Sequence, residues 1–235
     1  MFQFTPIGII RSCFREKFGI PRQPGLAPAA RATLELLPPY AQAAAVRGLE
    51  AFSHVWLVFV FHSTPAGHWQ PTVRPPRLGG NRRLGVFATR STFRPNPIGL
   101  SAVRLERVAI ARQRVTLHLA GVDLLDGTPV LDIKPYLPYA DCLPEATGGF
   151  ATEAPPHLPV EFSPAAEKFC AAWPTDELRG LITQILRQDP RPAYRSAGTA
   201  PRSYGMRLYD CDVCWEMRDG VVYVTEIRSD VKPRQ

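Results

Sequence analysis

Lysine is nearly missing from this 235-residue chain: of 28 basic residues only Lys17, Lys134, Lys168 and Lys232 are lysine, and the rest are arginine. Long apolar runs are missing too. The strongest, residues 55–61, spans seven positions, far short of the ~18 that a membrane-crossing helix needs. The opening MFQFTPIGIIRS has neither the basic start nor the small-residue cleavage site of an export signal, so a cytoplasmic protein is expected. Cysteine is sparse and odd in number. Cys13, Cys142, Cys170, Cys211 and Cys214 are scattered, which argues against a secreted disulfide framework and for reduced thiols. Cys211 and Cys214 form a C-x-x-C, but on an extended strand residues three apart face opposite sides, ~10 Å apart. They cannot share a metal there, and with no second pair no metal site is expected. The chain also contains no G-x-G-x-x-G, no G-x-x-x-x-G-K-[ST], no H-E-x-x-H and no G-x-S-x-G. Dinucleotide and P-loop sites, the zinc-protease helix and the hydrolase elbow are thereby removed.

What the chain has instead is clustered arginine. Residues 71–101 read PTVRPPRLGGNRRLGVFATRSTFRPNPIGLS and carry Arg74, Arg77, Arg82, Arg83, Arg90 and Arg94 with no acidic residue. Pro71, Pro75, Pro76, Pro95 and Pro97 forbid a regular helix or central strand. A long loop ordered by covalent geometry rather than by burial reads as a binding surface. Guanidinium forks grip planar anions bidentately, which suits phosphates and carboxylates. With a net charge of +7, the expected partner is a polyanion, a nucleic acid; an acidic small ligand is the second reading.

Alternating apolar and β-branched residues place strands near 4–11, 33–37, 54–62, 84–88, 100–108, 114–119 and 130–133. They are separated by turn residues and do not alternate with helices. The fold expected is mainly β: an antiparallel β-barrel-like domain over residues 1–145. One short helix is expected at 41–49. Residues 146–162 are rich in Pro, Gly, Ala and Thr and read as a linker. A small C-terminal α+β domain then covers 163–235. Ser163-Pro164 with Glu167 starts one helix, a second runs from about 175 to 188 until Asp189-Pro190 stops it, and a hairpin pairs 204–217 with 221–227 through Arg218-Asp219-Gly220.

Two local groups carry possible chemistry. His54 and His62 flank the most apolar strand, where they are polar strand ends or pocket residues. In Asp132-Ile133-Lys134-Pro135-Tyr136, period-two alternation puts Asp132, Lys134 and Tyr136 on one face, an acceptor, a cation and a phenol together.

Longer stretches are more specific. FGIPRQPGL (18–26), AVRGLEAFSHVWLVFVFH (45–62), the arginine loop, DGTPVLDIKPYLP (126–138) and QDPRPAY (188–194) together resemble the TrmO family. These are methyltransferases that use S-adenosyl-L-methionine to methylate N6 of threonylcarbamoyladenosine beside the tRNA anticodon. The resemblance implies a β-barrel catalytic domain, a smaller C-terminal domain and a homodimer. It places the methyl donor against Pro21, Arg22, Gln23, Phe61, His62, Arg90, Leu100 and the turn Leu125, Asp126, Gly127, Thr128 and Pro129. In that set Arg90 suits the donor carboxylate, Phe61 a face of the ligand, and backbone groups of the turn the adenine edge. Arg77 and Arg94 of the loop and Arg191 and Tyr194 of the DPRPAY motif are the expected tRNA contacts, arginine on phosphate and tyrosine on a base. In-line transfer from a sulfonium needs alignment and exclusion of water rather than a metal, and the Asp132, Lys134, Tyr136 face is the candidate to take or orient the proton that nitrogen loses. Two other classes stay open: a non-catalytic RNA-binding barrel, and an enzyme that uses the arginine loop for a small acidic substrate.

Overall fold

The computed structural model describes residues 3–65, 67–155, 157–191 and 202–229. Strands β1 (Gly8–Ser12), β2 (Arg31–Leu36) and β3 (His54–Val60) come first. The arginine loop follows and adds only a two-residue ribbon, β4 (Thr72–Val73) with β5 (Leu84–Gly85). Then come β6 (Ile98–Ala111), β7 (Arg114–Ala120) and β8 (Pro129–Pro135). Six of these strands close in the order β1-β2-β7-β6-β3-β8 into an antiparallel barrel.

Alternation decides which residues fill it. Val55, Leu57 and Phe59 of β3, Val103 and Leu105 of β6 and Val115, Leu117 and Leu119 of β7 are buried inside, while Trp56, Val58, Leu100 and Asp132 share the outer face through the pairings Val58↔Leu100 and Val58↔Asp132. Two expectations fail here. The strand expected over 84–88 lies outside the barrel and ends at Gly85, because the surrounding prolines leave it no neighbour to pair with beyond β4. The helix expected over 41–49 is two 3-10 turns, Ala43–Val46 and Leu49–Ala51. Gly48 between them sits at φ +83°, and only Val46 of the first turn is buried, so no apolar face holds a longer helix together.

After the short helix α1 (Pro138–Asp141), the C-terminal part is a four-stranded sheet backed by two helices. Its elements are β9 (Val160–Phe162), α2 (Pro164–Ala171), α3 (Glu177–Leu186), β10 (Ser203–Leu208), β11 (Cys211–Arg218) and β12 (Val221–Ser229). Ser163 caps α2 as the sequence leads one to expect, its hydroxyl accepting from Ala166 N–H at 3.1 Å. The segment 204–217 is not one strand: it folds back at Tyr209-Asp210, with Tyr209 at φ +51°, so the hairpin becomes a three-stranded meander. No glycine or proline marks that turn. The last three residues of the expected linker are β9, which pairs in parallel with β12. Cys211 is buried and Cys214 half-buried on β11, both as free thiols.

The two parts share one hydrophobic core that includes Phe14, Leu186, Leu208 and Trp215. Backbone bonds cross between them: Tyr209 N–H donates to Cys13 O at 2.7 Å. Gln184 Oε1 accepts from Ala29 N–H at 2.8 Å, and Gln188 Nε2 donates to Leu26 O at 3.1 Å. Burial at this junction pushes the Cys13 thiol up to about 12, so it packs as a small apolar group. Among the described residues no helix is long and apolar enough to cross a membrane, and no three His, Cys, Asp or Glu residues converge as a metal cluster.

Candidate active site

The barrel strands bring five stretches of chain to one mouth. They are the segment after β1, the end of β3, the arginine loop, the start of β6 and the β7–β8 connection. Together they enclose a cavity of about 480 Å³, within the usual range of small-ligand sites. Phe59 and Phe61 meet edge to face at 5.2 Å between ring centroids and form its apolar wall. Phe59 can lie there because residue 99 is glycine: a Cβ at Gly99 would collide with the Phe59 ring. Phe61 N–H donates to Pro97 O at 2.8 Å, fixing the end of β3 against the arginine loop. Arg90 donates to the side-chain oxygen of Gln23, tying that loop to the segment after β1. Lys17 closes the rim by donating to Ser63 O at 2.7 Å.

The structure gathers Pro21, Arg22, Gln23, Phe61, His62, Arg90, Leu100, Leu125 and Thr128 around this cavity. Asp126, Gly127 and Pro129 of the same turn are not part of its lining. The Asp126 carboxylate points to the opposite side, where it accepts from Ser12 N–H at 3.0 Å and pairs with Arg15 at 2.6 Å. The turn's N–H groups are also spent: Asp126 N donates to Phe14 O, Gly127 N to Ile10 O and Thr128 N to Leu125 O. An adenine edge therefore finds no free donor among those three amides, and what the turn gives the cavity is the Leu125 and Thr128 surfaces.

Asp132, Lys134 and Tyr136 do share one outward face, beside the cavity rather than in it. Lys134 pairs with Asp132 at 2.8 Å, both side chains about half exposed or more. Tyr136 packs on Trp56 at 5.7 Å between centroids, and Trp56 in turn lines the cavity.

The arginines separate by whether the protein already uses them. Arg77 donates to Glu153 O, and Arg83 holds Thr72 at 2.8 Å. Arg94 lines the cavity but spends its guanidinium on Val86 O and Thr89 O, at 3.2 and 2.8 Å. Arg74 and Arg82 are exposed with no partner among the described residues. Arg191 is locked on Asp189 by two bonds of 2.7 Å, which raises its pKa, and its side chain is only 12% exposed. Burial lowers the pKa of Arg22, which feels the nearby charges of Asp189 and Arg77. Tyr194 lies outside the described residues.

Sequence reasoning missed Asp123. It is the single acidic residue of the lining and sits at the barrel end of the β7–β8 connection. The buried Ser101 hydroxyl donates to its Oδ1 at 2.7 Å. Burial pushes its pKa up to about 6, against the lowering effects of Ser101, its own backbone and Arg90. The signal was faint: an aspartate two residues after Gly121, opposite an inward serine of β6.

A closed barrel with a deep cleft at one mouth, walled by phenylalanine and rimmed by cations, is the build of a β-barrel enzyme for a small charged ligand, not of a flat RNA-binding module. The chain belongs to the tRNA-methyltransferase O family. The model of that family's N-terminal domain matches residues 9–142 and that of the TrmO C-terminal domain residues 155–230. The tRNA (adenine(37)-N6)-methyltransferase of Escherichia coli K12 is 53% identical over 221 residues, covering 93% of this chain and 94% of that protein. A putative S-adenosylmethionine-dependent methyltransferase of Pseudomonas aeruginosa, RcsF, is 57% identical over 217 residues, 90% of each chain. The crystal structure of TrmO from Pseudomonas aeruginosa superposes with a TM-score of 0.80 at 47% identity, covering 97% of this chain and 99% of that one.

Proposed function

We propose that this chain transfers a methyl group from S-adenosylmethionine to N6 of an adenine in tRNA, and that this adenine is the threonylcarbamoyladenosine beside the anticodon. The observation that carries the reading is the convergence of nine residues from five separate stretches on one cavity, in a chain whose relatives are named for this chemistry. The residues present fit such a donor: Arg90 and Arg22 offer cations for a carboxylate, Gln23 a neutral hydrogen-bonding group, Phe61 and Leu100 apolar faces for a purine and a thioether chain.

S-adenosylmethionine supplies a methyl group on a positive sulfur, an electrophile that needs alignment more than activation. The chain's residues do the aligning. Gln23 and Arg90 hold the two sides of the mouth together, and Phe59 and Phe61 exclude water from its wall. The acceptor base approaches along the outer face, where Trp56 reaches from the cavity to Tyr136 and offers an aromatic surface for stacking. The Lys134–Asp132 pair stands next to that surface and is the group placed to receive or orient the N6 proton. Arg74 and Arg82 are the loop cations available for phosphate, joined by the 189–194 motif, whose first residues reach the charge field of Arg22.

Exposed apolar side chains support a homodimer: Ile98, Leu100 and Phe93 are 39%, 55% and 38% exposed, surface that a second copy would shield in part.

Transfer of tritium from methyl-labelled S-adenosylmethionine to unmodified and to threonylcarbamoylated tRNA tests the reading. Label is expected only in the threonylcarbamoylated tRNA. Equal labelling of both overturns the modified-base assignment, and no labelling of either overturns the activity.

A further inference from the structure

We infer that Asp123 is the counter-charge by which the cavity prefers a positively charged sulfonium donor to the neutral thioether that methyl transfer leaves behind. The inference rests on the reading of this cavity as the donor site. Its ground is the charge inventory of the walls. Lys17 and Arg22 come from the segment after β1, and Arg90 and Arg94 from the arginine loop, while Asp123 is the sole acid of the lining. The wall cations can pair with the donor's carboxylate, but its sulfonium meets an opposite charge among the lining residues only at Asp123. The carboxylate is also held in place rather than swinging free, since Ser101, itself 2% exposed, donates to Oδ1 at 2.7 Å from the adjacent strand.

During transfer the electron pair of the breaking sulfur–carbon bond stays on sulfur, the new carbon–nitrogen bond forms at N6, and the N6 proton leaves. The ligand in the cavity thus falls from net charge +1 to zero. The attraction of Asp123 is lost with it, so the product is held less tightly than the donor. Because burial raises the pKa of this carboxyl, the attraction is present above its titration and fades as pH falls through it. The Ser101 hydroxyl bond lowers that pKa, so removing the bond moves the fading to higher pH.

Calorimetric titration of S-adenosylmethionine and S-adenosylhomocysteine into full-length wild type, Asp123→Asn and Ser101→Ala between pH 5.5 and 8 tests this, with folding checked by thermal melts. At pH 7.5 Asp123→Asn is expected to weaken the sulfonium ligand by roughly ten- to hundredfold and the thioether by less than about threefold. Ser101→Ala keeps the carboxylate and is expected to show the wild-type preference at pH 8 but to lose it at a higher pH than wild type. Equal weakening of both ligands by Asp123→Asn, or no change in either, overturns the inference; so does a Ser101→Ala pH course that coincides with wild type. Failure of the donor-site reading looks different: Leu100→Trp, which fills the cavity, would then leave both ligands bound as in wild type.

Discussion

Replacing Asp123 by asparagine is expected to stabilise the fold. In the folded chain burial raises this carboxyl from 3.8 to about 6. The folded state therefore binds the proton more tightly than the unfolded one, and stability is greatest below the unfolded value and falls as pH rises from about 4 to about 6. Above pH 6 the full cost is present. A shift of about two pH units corresponds to ~3 kcal/mol. Water at the cavity mouth screens part of it, so a net ~1–3 kcal/mol is expected. At ~2–4 °C per kcal/mol for a chain of this length, the melting temperature at pH 7.5 should rise by roughly 2–12 °C. Asparagine keeps an oxygen for the Ser101 hydroxyl, so the 2.7 Å bond has a replacement acceptor. The assay is a pair of thermal melts of wild type and Asp123→Asn at pH 7.5, 6 and 4.5. The gap should be widest at pH 7.5 and narrow towards pH 4.5. A less stable variant at pH 7.5, or a gap independent of pH, refutes the reasoning.

Arg90→Ala removes a charge-assisted contact of ~1.5–3 kcal/mol, so donor affinity measured by calorimetry should fall roughly ten- to hundredfold. Arg74→Ala with Arg82→Ala should raise KM for tRNA and flatten its salt dependence while leaving donor affinity unchanged, because neither side chain lines the cavity. Gly99→Ala forces its new methyl against the Phe59 ring, an overpacking cost of ~1–3 kcal/mol that a denaturant titration would read together with weakened donor binding. Leu100→Arg places a charge among the exposed apolar side chains, and sedimentation velocity should then show monomer where wild type sediments as a dimer; a wild type that is monomeric and fully active refutes the dimer.

Period-two alternation was enough to place strands near 54–62 and 114–119, found at His54–Val60 and Arg114–Ala120, since one face of each is buried and the other is not. It failed where propensity had no tertiary partner. The alanine-rich 41–49 segment offers helix formers but little to bury, and the Tyr209-Asp210 reversal uses a left-handed tyrosine that no local signal announces. Most of the nine cavity-lining residues that the resemblance points to lie in long characteristic stretches, Leu125 being outside them. Asp126 entered the donor set through the backbone of its turn, and the sequence does not show that Arg15 and the Ser12 N–H hold its carboxylate on the side away from the cavity. Asp123 was unreadable because its environment is assembled from Ser101 and Arg90, 22 and 33 positions away in sequence.

Gln188 grips the last turn of α3 through Gln184 O at 2.6 Å and Leu26 O at 3.1 Å. The residues immediately after it open the 189–194 motif, and Leu26 ends the segment that carries Pro21, Arg22 and Gln23. One side chain therefore anchors both a stretch that lines the cavity and the stretch that opens the 189–194 motif. Together with the shared core around Phe14 and Leu208, this makes the two halves a single cooperative folding unit rather than a catalytic module with a detachable adaptor. A chain cut near residue 162 would lose the covering of Phe14 and the brace on Leu26 at once, so its failure to bind donor would report unfolding, not a division of labour. Point substitutions within the intact chain are the experiments that can separate the two roles.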